Sequence, residues 1–211
     1  MNYNGLKVYH YPSRLEEEVK ARINEKSTVI ARDAFGPQME FEDVKEHVTG
    51  NSIETLLINE SAFSSYRKYN LKESTVLHNV GAAVMRSEQG KGIYRMLNET
   101  AIESELNKNC KTFLTGRTQN PSVYASIRKI KSVKSVYPSK EKPPDYILDV
   151  KEEISKLFGK RVDDNFKIDG VYGKCLYNYK PKCRDEIVNK MFYDLLNHEK
   201  GDALLIIAEI R

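Results

Sequence analysis

The chain has 211 residues, 40% hydrophobic and 30% charged, a composition that is typical of a globular protein and excludes a disordered one. Its 34 basic and 30 acidic side chains leave a formal net charge of +4, which is too small to indicate a nucleic-acid partner. The three cysteines lack C-x-x-C spacing, so neither a disulfide framework nor a zinc site is indicated, and no apolar run approaches bilayer length. We therefore expect a cytoplasmic protein with no membrane partner.

Residues 1–50 combine one short strand with helical segments. Residues 6–11 alternate between apolar and polar side chains, which predicts a strand. Leu15, Val19 and Ile23 then recur at helical spacing, and the pair Gly36-Pro37 ends a second helical pattern. The predicted elements are a strand at 6–11, a helix that begins after Pro12, a separate helix at 28–35 and a short helix at 41–47.

From residue 53 the apolar pattern changes to the period of strands. Residues 54–59, 62–69 and 75–85 predict three consecutive strands, and the short polar turns between them favour an antiparallel meander. An amphipathic helix at 93–106, ended by 107–109, and a strand at 112–115 follow. A strand, a turn, a helix and a further strand form a βαβ unit, and ligands of open α/β sheets bind at the carboxyl ends of such strands.

The turn inside this unit has the sequence Gln89-Gly90-Lys91-Gly92-Ile93-Tyr94. Two glycines let the main chain approach a ligand closely, and a helix that starts just after them directs unpaired N–H groups and the positive end of its dipole toward it. Such a turn suits a pyrophosphate group. The same glycine pair is also typical of an ordinary tight turn, so the segment alone leaves both interpretations open.

Here the sequence resembles a known family. The segment from Val84 to Tyr94, followed by Leu97, is similar to the acetyl-CoA signature of the GNAT (GCN-five-related) N-acetyltransferases, in which a Gln or Arg precedes two small residues at fixed spacing. Asn120 opens a short helix at 121–130 just past the next strand, as the pantetheine-binding Asn of that family does. The element order over residues 5–137 is similar too. The resemblance implies an α/β fold with a mixed, mostly antiparallel sheet, splayed at the βαβ coenzyme-binding unit, and helices on both faces.

The resemblance also implies an activity and a coenzyme. A GNAT protein transfers an acetyl group from acetyl-CoA directly to an amine of an acceptor, here a small molecule or a protein, with no metal. Backbone donors at the helix start would hold the diphosphate, Lys91 or Arg95 would add charge-assisted contacts, and the edge of the third strand would pair with the pantetheine arm. The residues assigned to the coenzyme are Ala82, Ala83, Val84, Gln89, Gly90, Lys91, Gly92, Ile93, Tyr94, Arg95 and Asn120.

Two positions depart from the family pattern. Tyr94 stands where the family usually has Gly or Ala, which questions how closely the phosphates pack. Ile127 stands where many members have a Tyr that protonates the departing thiolate. A non-catalytic module that binds an acyl-CoA or a protein partner with the same fold therefore stays open as a second function.

Attack on a thioester needs a neutral amine and a proton for the leaving sulfur. His78 on the third predicted strand and Glu54 are the candidate bases, with Glu60 as a further one, and Tyr124, one helical turn after Asn120, is the candidate acid. Each has a structural alternative, because a lone strand histidine is more often structural or exposed and a helix tyrosine is as often a packed aromatic.

From residue 131 onward the family pattern is interrupted. Residues 139–144 predict a linker, 145–158 a helix ended by Gly159, and 184–198 a helix with Ile187, Met191 and Leu195 on its apolar face. The unbroken apolar run 203–208 predicts a strand buried on both faces. We expect one domain over residues 1–211, with 140–200 as a helical insertion before a closing strand at 202–210. The insertion either covers the acceptor site or forms a stabilising or homodimer contact.

Overall fold

The computed structural model describes residues 5–105 and 110–210. These residues form eight β-strands and six α-helices, and none of the helices in this part of the chain is long and apolar enough to cross a membrane. The chain divides into two compact units, the first of residues 5–69 and 77–105 and the second of residues 70–76 and 110–210. The helix end predicted at 107–109 lies outside the described residues.

The first unit holds the predicted meander and the helix that follows it. Its elements are β1 (Lys7–His10), α1 (Glu17–Phe35), α2 (Phe41–Thr49), β2 (Thr55–Ile58), β3 (Ala62–Asn70), β4 (Ser74–Val84) and α3 (Ile93–Glu105), with the first residues of β4 counted in the second unit. β1 pairs antiparallel with β2, and β2 with β3. β4 follows β3 in the sheet order. The strands predicted at 54–59, 62–69 and 75–85 and the helix predicted from 93 are therefore confirmed.

One helix, α1, replaces the two that the sequence pattern predicts, and the chain from Pro12 to Arg14 forms a separate 3₁₀ turn before it. The segment across the predicted break holds no Gly or Pro. Two of its buried polar side chains form hydrogen bonds: the Thr28 hydroxyl donates to the Asn24 carbonyl at 2.8 Å, and the Asn24 side chain accepts from the Thr49 hydroxyl of α2 at 2.9 Å. The prediction of two helices was wrong because these polar residues form a helix–helix contact and not a loop.

A hydrophobic cluster joins α1 and α2 to the strands of the first unit. Its buried members are Ile23, Ile30, Ala31, Ala34, Val44, Val48, Leu56, Ile58, Phe63 and Ala83. Ala83 is the residue before the last one of β4, so the core fixes the strand end from which the glycine turn starts.

The second unit is built around the closing strand. Its elements are β5 (Lys111–Thr118), α4 (Pro121–Ile127), β6 (Val133–Tyr137), α5 (Asp145–Phe158), β7 (Lys167–Ile168), α6 (Glu186–Leu195) and β8 (Ala203–Ile210). β8 lies between β5 and β6, antiparallel to both, and β7 pairs with its first two residues. All eight residues of β8 are buried, which confirms the predicted two-faced burial. β7 was not predicted, because two residues are too few for a pattern.

The apolar face of α6 differs from the predicted one at its first turn. Ile187 is 66% exposed, whereas Val188 and Phe192 are buried. The Phe192 ring packs edge-to-face on Tyr124, with ring centroids 6.2 Å apart. The prediction that Ile187 belongs to the buried face was wrong, because the large aromatic ring decides which side of the helix faces the core.

The fold class predicted from the sequence is confirmed. Strands and helices mix, and the pairings β1–β2, β2–β3, β5–β8, β6–β8 and β7–β8 are all antiparallel. The order from β1 to β6 is the one that the GNAT resemblance implies, and α5, β7 and α6 stand between β6 and β8. The interpretation as one domain with an insertion at 140–200 stays a prediction.

Candidate functional site

The turn after β4 is held in place at both of its ends. The N–H of Met85 donates to a carbonyl of the β2–β3 turn at 2.9 Å, and the N–H of Arg86 donates to the Asp33 carboxylate of α1 at 2.6 Å. The Gln89 side-chain amide donates back to the carbonyl of Val84 at 2.9 Å. The backbone between β4 and α3 therefore follows a fixed path, and Gln89, which was assigned to the coenzyme, closes the turn.

The two glycines of this turn have the left-handed backbone that favours glycine. The φ angle is 79° at Gly90 and 85° at Gly92. A Cβ built on Gly90 would meet no atom within 4 Å, and one built on Gly92 would approach the Arg95 guanidinium at 3.4 Å. The side of Gly90 that lacks a side chain is therefore turned toward open space, which a closely approaching ligand requires, whereas Gly92 faces the Arg95 guanidinium.

α3 begins directly after these glycines and supplies backbone donors. Its first helical bond runs from the Met96 N–H to the Gly92 carbonyl at 3.0 Å. The N–H groups of the turn before Met96 have no acceptor within the helix, and they form the positive end of its dipole. The start of this helix of 13 residues is thus suited to an anion such as a phosphate.

Two cationic side chains at the turn form ion pairs at the protein surface. Lys91 pairs with Glu88 at 2.9 Å, and Arg95 lies 4.0 Å from Glu99. Exposed pairs of this kind contribute at most about 1 kcal/mol to stability. Both cations can therefore exchange their carboxylates for a phosphate at small cost.

β4 is packed beside β3 before it reaches the turn. His78 lies beside the ring of Tyr69 on β3, with centroids 6.4 Å apart, and Ala83 belongs to the same core cluster as Phe63 of β3. The strand that leads into the turn is therefore held by a ring contact in its middle and by the core at its end.

The strand edge predicted to pair with pantetheine is partly used within the first unit. Ala83 is buried in the core, Ala82 and Val84 are half-buried, and the Val84 carbonyl already accepts from Gln89. Pairing of this edge with pantetheine stays a prediction.

Tyr94, the departure from the family pattern, is half-buried in the first turn of α3. Burial raises the pKa of Tyr66 well above its usual range, and an interaction with Tyr94 adds to the rise. The Tyr66 hydroxyl accepts from Ser64 at 2.9 Å, and the Asn79 amide donates to the same Ser64 oxygen at 2.6 Å. The phenol of Tyr94 is thus coupled to a buried polar network of β3 and β4.

The candidate bases occupy different places in the first unit. His78 is 2% exposed and lies on β4, four residues before Ala82. Glu54 precedes β2, at the end of that strand opposite the β2–β3 turn that binds Met85, so the structure does not bring it to the glycine turn. Glu60 lies in the β2–β3 turn and is exposed, and a hydrogen bond from Lys26 lowers the pKa of its carboxyl, which makes it a weaker base.

In the second unit, Asn120 is the N-cap of α4. Its side-chain oxygen accepts from the Ser122 N–H at 2.9 Å, and its own N–H donates to the Thr118 hydroxyl at 2.9 Å. The side-chain NH₂ is the group of Asn120 that is left for a ligand. Its role toward the coenzyme stays a prediction.

Gln119, which the sequence analysis missed, organises the neighbourhood of Asn120. It is 1% exposed. Its side chain donates to the carbonyls of Lys174 and Asp202 at 3.4 and 3.0 Å and accepts from the Leu176 N–H at 2.9 Å. A polar residue at the end of a buried strand must find such partners, and that requirement is the signal that could have singled it out.

Tyr124 and Ile127 form part of the packed interior of the second unit. Tyr124 is 5% exposed, and its hydroxyl donates to the Pro138 carbonyl at 2.6 Å. Burial raises the pKa of this phenol. A weaker acid whose proton is already donated favours the packing alternative, and the catalytic role of Tyr124 stays a prediction. No group of three or more His, Cys, Asp or Glu side chains within residues 5–105 and 110–210 is placed to hold a metal ion.

No protein-family model matches the sequence, and no curated protein sequence matches it. Solved structures show a distant similarity. The ribosomal-protein-S18-alanine N-acetyltransferase from Escherichia coli is 13% identical and has a TM-score of 0.44, and the aligned region covers 97% of this chain and 94% of the other. The ribosomal-protein-S5-alanine acetyltransferase from Vibrio fischeri is 11% identical, with coverage of 67% and 87% and a TM-score of 0.41.

A third structure of this kind is the spermidine N-acetyltransferase from Vibrio cholerae in complex with CoA and spermine. It is 16% identical and has a TM-score of 0.37, and the aligned region covers 62% of this chain and 83% of the other. At these identities and TM-scores the similarity supports no statement about activity or substrate. We therefore infer the function from the turn, the strand and the helix described above.

Proposed function

We propose that the protein is a GNAT-type N-acetyltransferase that transfers an acetyl group from acetyl-CoA to an amine of an acceptor. One observation carries this proposal: the turn that bears the signature spacing has two left-handed glycines directly before the start of α3, and Gly90 faces open space. An ordinary tight turn does not need a helix start at that point.

The residues at the turn suit a coenzyme with a diphosphate and an amide-rich arm. N–H groups from Gly90 to Arg95 would donate to the diphosphate, and the side chains of Lys91 and Arg95 would add charge. The edge of β4 at Ala82 would pair with the pantetheine arm. Acetyl-CoA would supply the thioester that the amine attacks.

We assign proton transfer to His78. It lies on β4, the strand that also carries Ala82, and imidazole changes its charge near neutral pH. It would accept the proton of the attacking amine, directly or through water. Tyr124 and Glu54 stay predictions of lower rank, because the Tyr124 hydroxyl binds Pro138 and Glu54 lies at the far end of β2.

The second candidate function is a non-catalytic module that binds an acyl-CoA or a protein partner. Two observations on α4 favour it: Ile127 is buried where many relatives carry a tyrosine, and the Tyr124 proton is donated to a backbone carbonyl. The acceptor as a small molecule or a protein, the cytoplasmic location and a homodimer contact also stay predictions.

The discriminating experiment incubates the pure protein with acetyl-CoA and a mixed panel of amines. Free thiol and acetylated products are measured together, the latter by mass spectrometry, and the enzyme is expected to release one thiol for each acetylated amine. His78→Gln should lower turnover by roughly a hundred- to ten-thousandfold with coenzyme affinity unchanged. Tight coenzyme binding without thiol release from any amine would establish the module instead.

A further inference from the structure

The stretch 170–184, here named the basic segment, carries charge of one sign. It contains Lys174, Lys180, Lys182 and Arg184 and no Asp or Glu, although the whole chain has 34 basic and 30 acidic side chains. All four side chains are exposed. Within the part of the chain that the structure describes, none of the four forms an ion pair.

The two acids that flank the basic segment are engaged elsewhere. Asp169 pairs with Lys167 at 2.7 Å. Asp185 caps α6 and lies 3.5 Å from Arg128. Neither of these two acids forms an ion pair with a cation of the basic segment.

The basic segment has no helix or strand of its own, yet it is fixed to the second unit along its length. The Tyr172 hydroxyl donates to the Arg117 carbonyl of β5 at 3.1 Å. Further along, the Tyr193 hydroxyl of α6 donates to the Pro181 carbonyl at 2.9 Å. Together with the Gln119 contacts, these bonds give an irregular segment a defined shape, which a binding surface requires.

Two of the bonds place the basic segment beside Asn120. The Lys174 carbonyl accepts from the Gln119 side chain at 3.4 Å, and the Lys182 carbonyl accepts from the Ser122 hydroxyl at 2.9 Å. Gln119 and Ser122 stand on either side of Asn120-Pro121. Lys174 and Lys182, whose side chains form no ion pair in the described part of the chain, thus provide the two carbonyls that bind Gln119 and Ser122.

Aromatic side chains accompany these cations. Tyr177 and Tyr179 pack edge-to-face with centroids 5.5 Å apart, and Tyr179 is 40% exposed. The Lys180 ammonium lies over the Tyr193 ring at 3.6 Å from its centroid. Exposed tyrosine beside cations on a fixed backbone is typical of surfaces that bind extended polypeptides, because the rings offer contact area at small entropic cost.

We propose that the basic segment binds the acceptor and selects a polypeptide whose free amino terminus is followed by Asp or Glu residues. This inference rests on the proposed acetyltransferase function. Cations spread over 174–184 match several carboxylates along a chain better than the single carboxylate of an amino acid. They would attract an acidic peptide at a distance and hold it in one register.

The test measures binding of a hexapeptide with a free amino terminus and three acidic residues, labelled at its carboxyl end, to the full chain in the presence of CoA. A matched peptide carries Asn and Gln in place of the acids. The wild type should bind the acidic peptide about tenfold more tightly at low salt, and the difference should shrink as salt is added. With acetyl-CoA, the same preference should appear in KM and not in kcat.

The variant Lys174→Gln/Lys182→Gln/Arg184→Gln should lose this preference, and Lys140→Gln/Lys142→Gln/Lys160→Gln, which removes the same charge from other exposed lysines, should keep it. A preference that survives the first variant, or that is absent in the wild type, contradicts the proposal. So does free glutamate or a short single-stranded RNA that binds as tightly as the acidic peptide. Loss of CoA affinity in the first variant would assign the cations to coenzyme phosphates and likewise overturn it.

Selective peptide binding without thiol release would support the acceptor surface while contradicting acetyl transfer. The two proposals can therefore fail separately.

Discussion

Two of the strand-to-helix junctions, β4 to α3 and β5 to α4, treat the start of a helix in opposite ways. At the second junction the Asn120 side chain caps the helix, and Pro121 at its first position has no N–H to satisfy. At the first junction the residue before Ile93 is Gly92, which has no side chain that could accept from the helix. We call the second junction saturated, because its own side chain caps the helix, and the first junction open, because Gly92 offers no cap.

The glutamines next to these junctions show the same difference. Gln119 is buried and uses both ends of its side chain to bind three backbone groups, whereas Gln89 is exposed and makes one bond to Val84. The comparison teaches that the same residue type fixes a fold at one junction and only shapes a turn at the other. We therefore expect ligand binding at the junction of β4 and α3, whose backbone is held by hydrogen bonds but whose helix start follows a glycine.

The largest effect that would break this comparison is expected from Gly90→Asp. CoA at a hundredfold excess over its dissociation constant should stabilise the wild type by about 2.7 kcal/mol, and free phosphate should do so weakly. The aspartate carboxylate would stand against the diphosphate and abolish this protection. The readout is the shift of the melting temperature with each ligand.

Gly159→Asp is the matched control, because this glycine also has a positive φ, of 59°, and a Cβ there would likewise meet no atom within 4 Å. It should lose some stability but keep the full CoA shift. Equal CoA shifts in the Gly90 and Gly159 variants would show that the turn binds no diphosphate.

A smaller effect should separate the two glutamines. Gln119→Ala removes the hydrogen bonds of this side chain to the Leu176 N–H and to the carbonyls of Lys174 and Asp202, so we expect the free energy of unfolding to fall by about 2 kcal/mol. Gln89→Ala removes one exposed bond and should cost less than about 0.5 kcal/mol. Urea denaturation of both variants measures the difference, and similar losses would refute the contrast between a saturated and an open junction.

The smallest effect concerns two carboxylates, one buried and one exposed. Burial opposes ionisation of Glu209, but hydrogen bonds from Lys134, Tyr146 and Ser135 outweigh it, and the pKa of this carboxyl lies below its ordinary value of 4.5. A lowered pKa in the folded state stabilises the protein above the unfolded pKa, and this contribution is lost as pH falls through the folded pKa.

Wild-type stability should therefore decline as the pH falls below about 4.5, and Glu209→Gln should flatten that decline and cost about 1 kcal/mol at neutral pH. Glu60→Gln should behave like the wild type, because Glu60 is exposed and solvent screens the interactions with Lys26 and Lys7 that lower its pKa. Melting temperatures measured from neutral to acidic pH test both statements. An unchanged acid decline in Glu209→Gln would mean that another carboxylate is responsible.

The sequence allowed prediction of what local signals determine. The alternation in β4, the two glycines and the start of α3 depend on about twenty neighbouring residues. The continuous apolar run of β8 likewise indicates a buried strand that is not at the edge of the sheet. The stop at Gly159 was equally legible, since a left-handed glycine ends a helix.

What the sequence did not reveal depends on contacts between distant residues. The polar face of α1 was mistaken for a break because its partner, Thr49, lies on α2. The hydrogen-bond partners of Gln119 belong to Lys174, Leu176 and Asp202, which are distant in the sequence, so a local pattern cannot identify them. The spacing of Tyr124 after Asn120 makes it a candidate acid and leaves packing open, and its hydrogen bond to Pro138 appears only in the folded second unit.

The central claim is that the backbone donors at the start of α3 bind the diphosphate of acetyl-CoA, and amide hydrogen exchange tests it most directly. Exchange is measured by mass spectrometry on peptides that span 86–98 and 117–124, with and without acetyl-CoA at saturating concentration. We predict that protection on binding is strongest between Gly90 and Arg95 and that Gly90→Asp abolishes it. Acetyl-CoA that binds without slowing exchange between Gly90 and Arg95 would contradict the account.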